Sequence, residues 1–252
     1  MPVMLPPRRL LATALGLGLL AGLSGGCMSP PPPRAVHFDY FRAPAPGDPW
    51  TPKIAGWQAR ERRSLARVDL DGPAEVSGSG VGSRPPGREQ ATTGLRAKYV
   101  TWRLERKRAL ARELVAWLQA QAREHYIPDG PIDHWATLEE TLVRGGDDCD
   151  GLELLAYHFL LDQGFGREEI YRAIVVRPSD GQHHMVTLWF ERRDDPWVLD
   201  PTGAMTSEMV RMSQRPDWVP LKVFSETEEY TVRPLPSGGY RYAAFAAGRS
   251  SR

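Results

Sequence analysis

From Leu95 to His125, apolar residues return at three- and four-residue steps. Leu104, Ala111, Leu114, Val115, Leu118 and Ala122 are separated by Arg, Lys and Glu. That period predicts one long amphipathic helix, which Pro128-Asp129-Gly130-Pro131 breaks. Thr137-Leu138-Glu139-Glu140 has the spacing of a capping box for a second, short helix, and Gly145-Gly146 can end it at Arg144. A third helical run, Leu152, Leu155, Ala156, Phe159 and Leu160, opens at Cys149 and stops by Gly164. Asp147 and Asp148 stand before it as natural N-caps. The period then shortens. Residues 171–177, 184–190, 197–200, 221–224, 229–233 and 240–245 read as short strands between turn signals. Helices followed by a run of strands predict an α+β fold with an antiparallel sheet.

The first third has a different pattern. Arg8 and Arg9 precede a weakly polar run from Leu10 to Leu23, and Ser24-Gly25-Gly26-Cys27 follows. A positive start, a short apolar run and small residues make residues 1–26 a secretory signal. The run is too short to span a bilayer, which takes about 20 apolar residues. Residues 27–94 hold Pro30–Pro33, Ala43-Pro-Ala-Pro-Gly47 and a Gly/Ser/Pro stretch from Val76 to Arg88. They read as a mostly irregular tether, with a short helix at about 57–68. Residues 95–252 are then the compact domain.

Composition sharpens this picture. An apolar share of 41% in 252 residues supports a packed core. The net charge is +1, and removing residues 1–26 takes away two arginines and no acid, leaving −1. That balance argues against a nucleic-acid binder. Two cysteines give no disulfide framework and no CxxC zinc motif. In an exported chain the thiol at Cys149 stands alone once Cys27 is set aside.

Cys149 is the candidate nucleophile. A helix N-terminus and a nearby imidazolium both favour a thiolate, so a lowered thiol pKa is expected. A thiolate nucleophile needs an oriented base. Gln182-His183-His184-Met185 begins one strand, and Asp200 ends another before Pro201. A carboxylate there calls for a partner, and an imidazole on the adjacent strand is one. Strand alternation turns His183 and His184 to opposite faces and does not choose between them.

At these residues the chain resembles a known family. The stretch from Asp133 to Asp150, DHWATLEETLVRGGDDCD, is similar to the signature of bacterial transglutaminase-like cysteine proteinases, approximately DxWATPxExLxxGxGDCED. His184-Met-Val and Trp197-Val-Leu-Asp200 resemble that family's second and third blocks, and Trp218–Ser225 a later one. The likeness runs over about 98–231. It implies a papain-like, transglutaminase-like core with Cys149 as nucleophile, His184 as acid and base, and Asp200 orienting His184, with His183 turned from the cleft. It leaves hydrolysis of peptide or isopeptide bonds, acyl transfer to amines, and a non-catalytic envelope scaffold as the alternatives. Trp135 is the cleft and oxyanion candidate. Cys27 resembles a lipobox cysteine, which implies lipidation, membrane attachment through that lipid, and a place in the cell envelope. A protein or peptide substrate and a monomeric state are expected. The chain departs from the family at Gly151 and Glu153, after the cysteine. Acids there support calcium binding in some members. Gly151 has no side-chain oxygen to offer, so no cofactor is expected and calcium is not expected to be required.

Overall fold

The computed structural model describes residues 36–71 and 94–235, with no side chains described for 67–71. The signal 1–26, Cys27, the stretch 72–93 and the strand expected at 240–245 lie outside the described residues.

The chain begins with β1 (Phe38–Arg42) and α1 (Thr51–Asp71). Both fall inside the stretch whose composition reads as tether, and both are built into the domain. Asp48 accepts the N–H of Trp50 at 3.0 Å, and Pro52 follows in the first turn of α1, where its missing donor costs nothing. Ile54, Trp57 and Glu61, at helical spacing, are fully buried. The abundance of arginine around them masked this pattern.

Next come α2 (Leu95–His125), α3 (Leu138–Arg144) and α4 (Cys149–Asp162). The predicted capping box is present: Thr137 accepts the N–H of Glu140 at 3.2 Å, and Glu140 accepts that of Thr137 at 2.7 Å. Gly145 ends α3 in the left-handed region at φ 75°. The strands follow as β2 (Ile170–Arg177), β3 (Gln182–Trp189), β4 (Trp197–Leu199), β5 (Val210–Arg211), β6 (Val219–Phe224) and β7 (Glu229–Pro234). They form one antiparallel sheet in the order β1-β7-β6-β2-β3-β4-β5. The mixed helix and antiparallel-sheet class expected from the sequence is therefore observed.

Alternation along β2 and β3 divides the core. Ala173, Val175, Val186 and Leu188 join Tyr40, Val198 and Trp218 on one side. Ile174 and Met185 meet Trp57, Leu154 and Phe224 on the other, and Ile170 and Trp189 meet α2 and α4 there. Helix α4 thus lies on β2 and β3 and presents its first turn to the strand that carries the histidines.

Candidate functional site

Cys149 is the first residue of α4, and the turn before it is fixed from several sides. Asp148 caps the helix by accepting the N–H of Asp150 at 3.1 Å. Asp147 donates its N–H to the His125 carbonyl at 3.1 Å and accepts that of Ile127 at 3.0 Å, which ties the end of α2 to the turn. Gly146 makes this closeness possible, since a Cβ there would run into the His125 carbonyl. Cys149 itself is partly buried.

His184, buried on β3, holds Asp200 through Nε2 at 2.8 Å. Asp200 is anchored further by its own loop. Its Oδ1 accepts the N–H groups of Thr202 and Gly203, each at 3.0 Å, and its Oδ2 those of Met205 at 2.6 Å and Thr206 at 2.9 Å. Gln119 of α2 reaches over to the carbonyls of Asp200 and Thr206 at 3.0 and 2.9 Å. Burial alone would raise the Asp200 carboxyl. The His184 bond and the ring of N–H donors outweigh it and hold the carboxyl below its ordinary value. The result is a fixed carboxylate that orients an imidazole and leaves its Nδ1 for proton exchange.

Cys149 and His184 line the same cavity of about 190 Å³, together with Trp50, Asp133, Trp135 and His183. Trp135 serves the cleft and the core at once. It borders the cavity, yet it is buried and stacks on Phe224 at 5.8 Å between ring centres. Its other neighbour is Trp50, at 6.3 Å and nearly parallel. His183 differs from expectation: it is exposed but borders the cavity, its ring 5.2 Å from that of Trp50. Trp50 closes over the strand from the N-terminal segment, so a side chain alternating away from His184 still meets the cleft. Lys53, in the first turn of α1, pairs with Asp133 and sits 4.5 Å over the Trp135 ring. Sequence reasoning missed this wall because Trp50 and Lys53 lie in the proline-rich stretch. The signal was the Asp48-to-Pro52 helix start.

The thiol also departs from expectation. Burial, then the charges of Asp148, Asp150 and Asp200, push Cys149 up to about 12, and only the Met185 N–H bond acts the other way among the main causes. Burial acts first and the three carboxylates add to it, against a helix dipole worth at most about 2 kcal/mol. Burial and the carboxylates both favour the protonated thiol over the thiolate. Asp150 is likewise held above the usual carboxylate range, by burial first and then by Asp148.

Glu153, a departure from the family pattern, has a structural role. Its carboxylate takes Nε of Arg172 at 2.5 Å and the Thr187 hydroxyl, and Arg172 also donates to the Asp150 carbonyl at 2.7 Å. All three side chains are fully buried. The arginine plane lies 4.3 Å from the Trp57 ring. This network joins β2, β3 and α1 to the first turn of α4.

Gly151 also has a reason. A Cβ there would collide with the carboxylate of Asp147. The space that a side chain at 151 would fill is taken by an acid arriving from four residues earlier. Asp147 Oδ2 and Asp150 Oδ2 are buried without a hydrogen-bond partner.

The chain matches no family model and no curated protein. Among solved structures it is similar to Legionella pneumophila LapG, at 20% identity over 54% of this chain and 78% of that one, with a TM-score of 0.41. EGTA-treated LapG gives 20% identity over 54% and 76%, and calcium-bound LapG 18% over 61% and 85%, each with a TM-score of 0.41. The calcium-bound and EGTA-treated forms overturn the expectation that no cofactor is involved, since calcium is recorded on a structural neighbour. In this chain the two unpartnered oxygens of Asp147 and Asp150 are of the hard type calcium takes. Among the described residues, however, no group of three or more His, Cys, Asp or Glu is gathered to hold a metal. These residues fall short of the six to eight oxygens of a calcium site, and no chemical step is routed through the ion.

Proposed function

We propose that the chain is a cysteine hydrolase of amide bonds in proteins or peptides, built on a transglutaminase-like core. The observation that carries the reading is the buried His184–Asp200 pair at 2.8 Å, lining with Cys149 a single cleft at the start of α4. As Sγ attacks the substrate carbonyl carbon, the thiol proton passes to His184 Nδ1, and Asp200 stabilises the imidazolium through Nε2. The imidazolium gives that proton to the departing amine, leaving a thioester on Cys149. Water, deprotonated by His184, attacks the thioester, and the acid product and the thiol are regenerated. The backbone N–H of Cys149 is the generic donor to the oxyanion, and Trp135, which borders the cavity, would line the cleft beside it.

The test is a peptide vinyl sulfone offered to the intact protein, with intact mass and peptide mapping as readout. An adduct on Cys149 in the wild type that disappears in His184→Ala supports the reading. Full adduct formation in His184→Ala would sink it. A second reading, a non-catalytic scaffold, draws on one observation, the thiol held at about 12. It requires that no adduct form at all.

We infer further that residues 1–26 direct export and that Cys27 carries lipid, supported by the Arg8–Cys27 pattern. Among the described residues, no helix is long and apolar enough to cross a membrane. Labelling with a radioactive fatty acid tests this, and label retained in Cys27→Ala would refute it.

A further inference from the structure

Helix α2 has two unlike halves. From Ala111 onward its buried stripe (Ala111, Leu114, Val115, Leu118, Ala122) is covered by the body of the domain. The N-terminal half is attached chiefly by ion pairs: Lys107 meets Glu169 at 3.2 Å, and Arg108 meets Glu191 at 2.6 Å. Those two contacts define the inward side of this half. At i, i+4 and i+7 on the opposite side stand Leu95, Tyr99 and Trp102, 83, 54 and 55% exposed. Tyr99 and Trp102 stack at 6.0 Å between ring centres. Large apolar side chains rarely line up on a water-facing helix side without a partner.

The charge around this stripe narrows the partner. Between Leu95 and Arg112 there are seven Lys and Arg and one acid, Glu105. Among the described residues, Arg96, Lys98, Arg103, Arg106 and Arg112 make no ion pair, whereas the rest of the chain carries the compensating acids. Arg103 lies 6.0 Å over Tyr99 and Arg106 continues the aromatic stripe. Aromatic rings flanked by cations are the composition that lodges at the headgroup level of a bilayer: the ring enters the interface and the long cationic stems reach the phosphates. No span is implied, since this half of α2 is far too polar to cross. The same side of α2 leads down to Trp117, at the lip of an apolar cavity of about 480 Å³ between α2, α3 and α4.

We propose that the outward face of the first half of α2 docks the protein on a bilayer surface carrying anionic phospholipid headgroups. This contact is separate from the lipid inferred at Cys27 and does not use the cleft. It would hold the domain in a fixed attitude on the membrane.

The experiment uses the full chain with vesicles of mixed phosphatidylglycerol and phosphatidylcholine, and with vesicles of phosphatidylcholine alone. Binding is read by cosedimentation and by hydrogen exchange of the amides at 95–104. The signal segment is common to every variant, so differences between variants report on α2. The mixed vesicles are expected to slow exchange at 95–104 in a salt-sensitive way, and phosphatidylcholine alone is not. Arg96→Gln/Arg106→Gln, which removes two cations, should weaken binding to the mixed vesicles roughly 30-fold. Trp102→Ser should abolish the protection. Both variants should retain Cys149 adduct formation, which separates failure of this surface from failure of the hydrolase reading. Unchanged exchange at 95–104, or double-variant binding equal to wild type, would overturn the proposal. So would protection that grows with protein concentration without vesicles, which would assign the face to a second copy of the chain.

Discussion

Replacing Asp148 by Asn isolates what controls the Cys149 thiol. Asn is as good an N-cap as Asp, so the bond from the Asp150 N–H is kept and the start of α4 is preserved. What changes is one negative charge at the residue adjoining the thiol, second only to burial among the causes that raise its pKa. Like charges a few ångströms apart near a protein surface interact by between about 1 and 4 kcal/mol. Asp148 is partly exposed, which places the effect toward the lower half of that range. The thiol should therefore fall by about one to two pKa units. Only the thiolate is alkylated, so the rate climbs tenfold per pH unit until the thiol pKa is reached. In the wild type that climb should continue to about pH 12. In Asp148→Asn the whole curve moves to lower pH, and iodoacetamide at neutral pH should react roughly 10- to 100-fold faster. Peptide mapping reads Cys149 apart from Cys27. A wild-type rate that levels off at or below the ordinary thiol value of about 8.5 would refute the reasoning. It would show a thiolate–imidazolium pair already formed at rest. An Asp148→Asn curve that overlays wild type would refute the assignment of the cause.

Four further outcomes follow from the same geometry. Asp200→Asn keeps the two loop N–H bonds to its remaining carbonyl oxygen, loses the two to the other, and removes the charge that faces His184; turnover on a peptide substrate should drop on the order of 10⁴, as in the serine triad, while far-ultraviolet circular dichroism stays unchanged. Arg172→Met strands Glu153 in the core and should cost about 3–5 kcal/mol in urea unfolding, with a change under 1 kcal/mol refuting the network. Gly151→Ala, which in an open helix would stabilise by up to about 1 kcal/mol, should destabilise by about 1–3 kcal/mol, because the new methyl meets Asp147; a rise in melting temperature would refute that contact. Trp57→Ala should cost about 3–5 kcal/mol, a loss that no residue of a loose tether can produce.

The parts of the molecule that were legible in the sequence are those with a strong local rule. The limits of α2 were readable because apolar residues and Arg or Glu alternate through eight turns and a proline-bearing turn follows. The start of α3 was readable because Thr137 and Glu140 satisfy each other's backbone. His184 and Asp200 were readable as a pair because each sits where a lone charge would be costly. What escaped depends on distance across the fold. β1 is an edge strand whose partner, β7, lies about 190 residues further on, and FDYFR carries no turn signal at its start. In α1 the three inward positions are spaced correctly, but one of them is Glu61, which sets its Oε1 2.8 Å from Nε2 of His158 on α4. A charged residue on the inner face of a helix reads as surface until its partner is known. Glu153 was misjudged in the same way: beside Cys149 in sequence it counts as a departure, and beside Arg172 in space it is a support.

The short acidic turn before α4 meets two demands that conflict. Asp148 must cap the helix and Asp147 must brace the turn against α2, and Asp148 brings its charge toward the sulfur that it positions. A thiolate in that setting would be raised by its own scaffolding. In the proposed mechanism a base across the cleft on β3 resolves the conflict, because His184 would take the proton only as the sulfur attacks and Asp200 would hold the positive charge that then forms. In that mechanism the negative charge of attack would move off sulfur to the carbonyl oxygen. On that reading the acids disfavour a resting thiolate without barring the reaction. Their effect on each step should differ in size: removing the Asp148 charge should speed alkylation, which needs a thiolate, and give a much smaller gain in amide hydrolysis, which needs the transfer to His184.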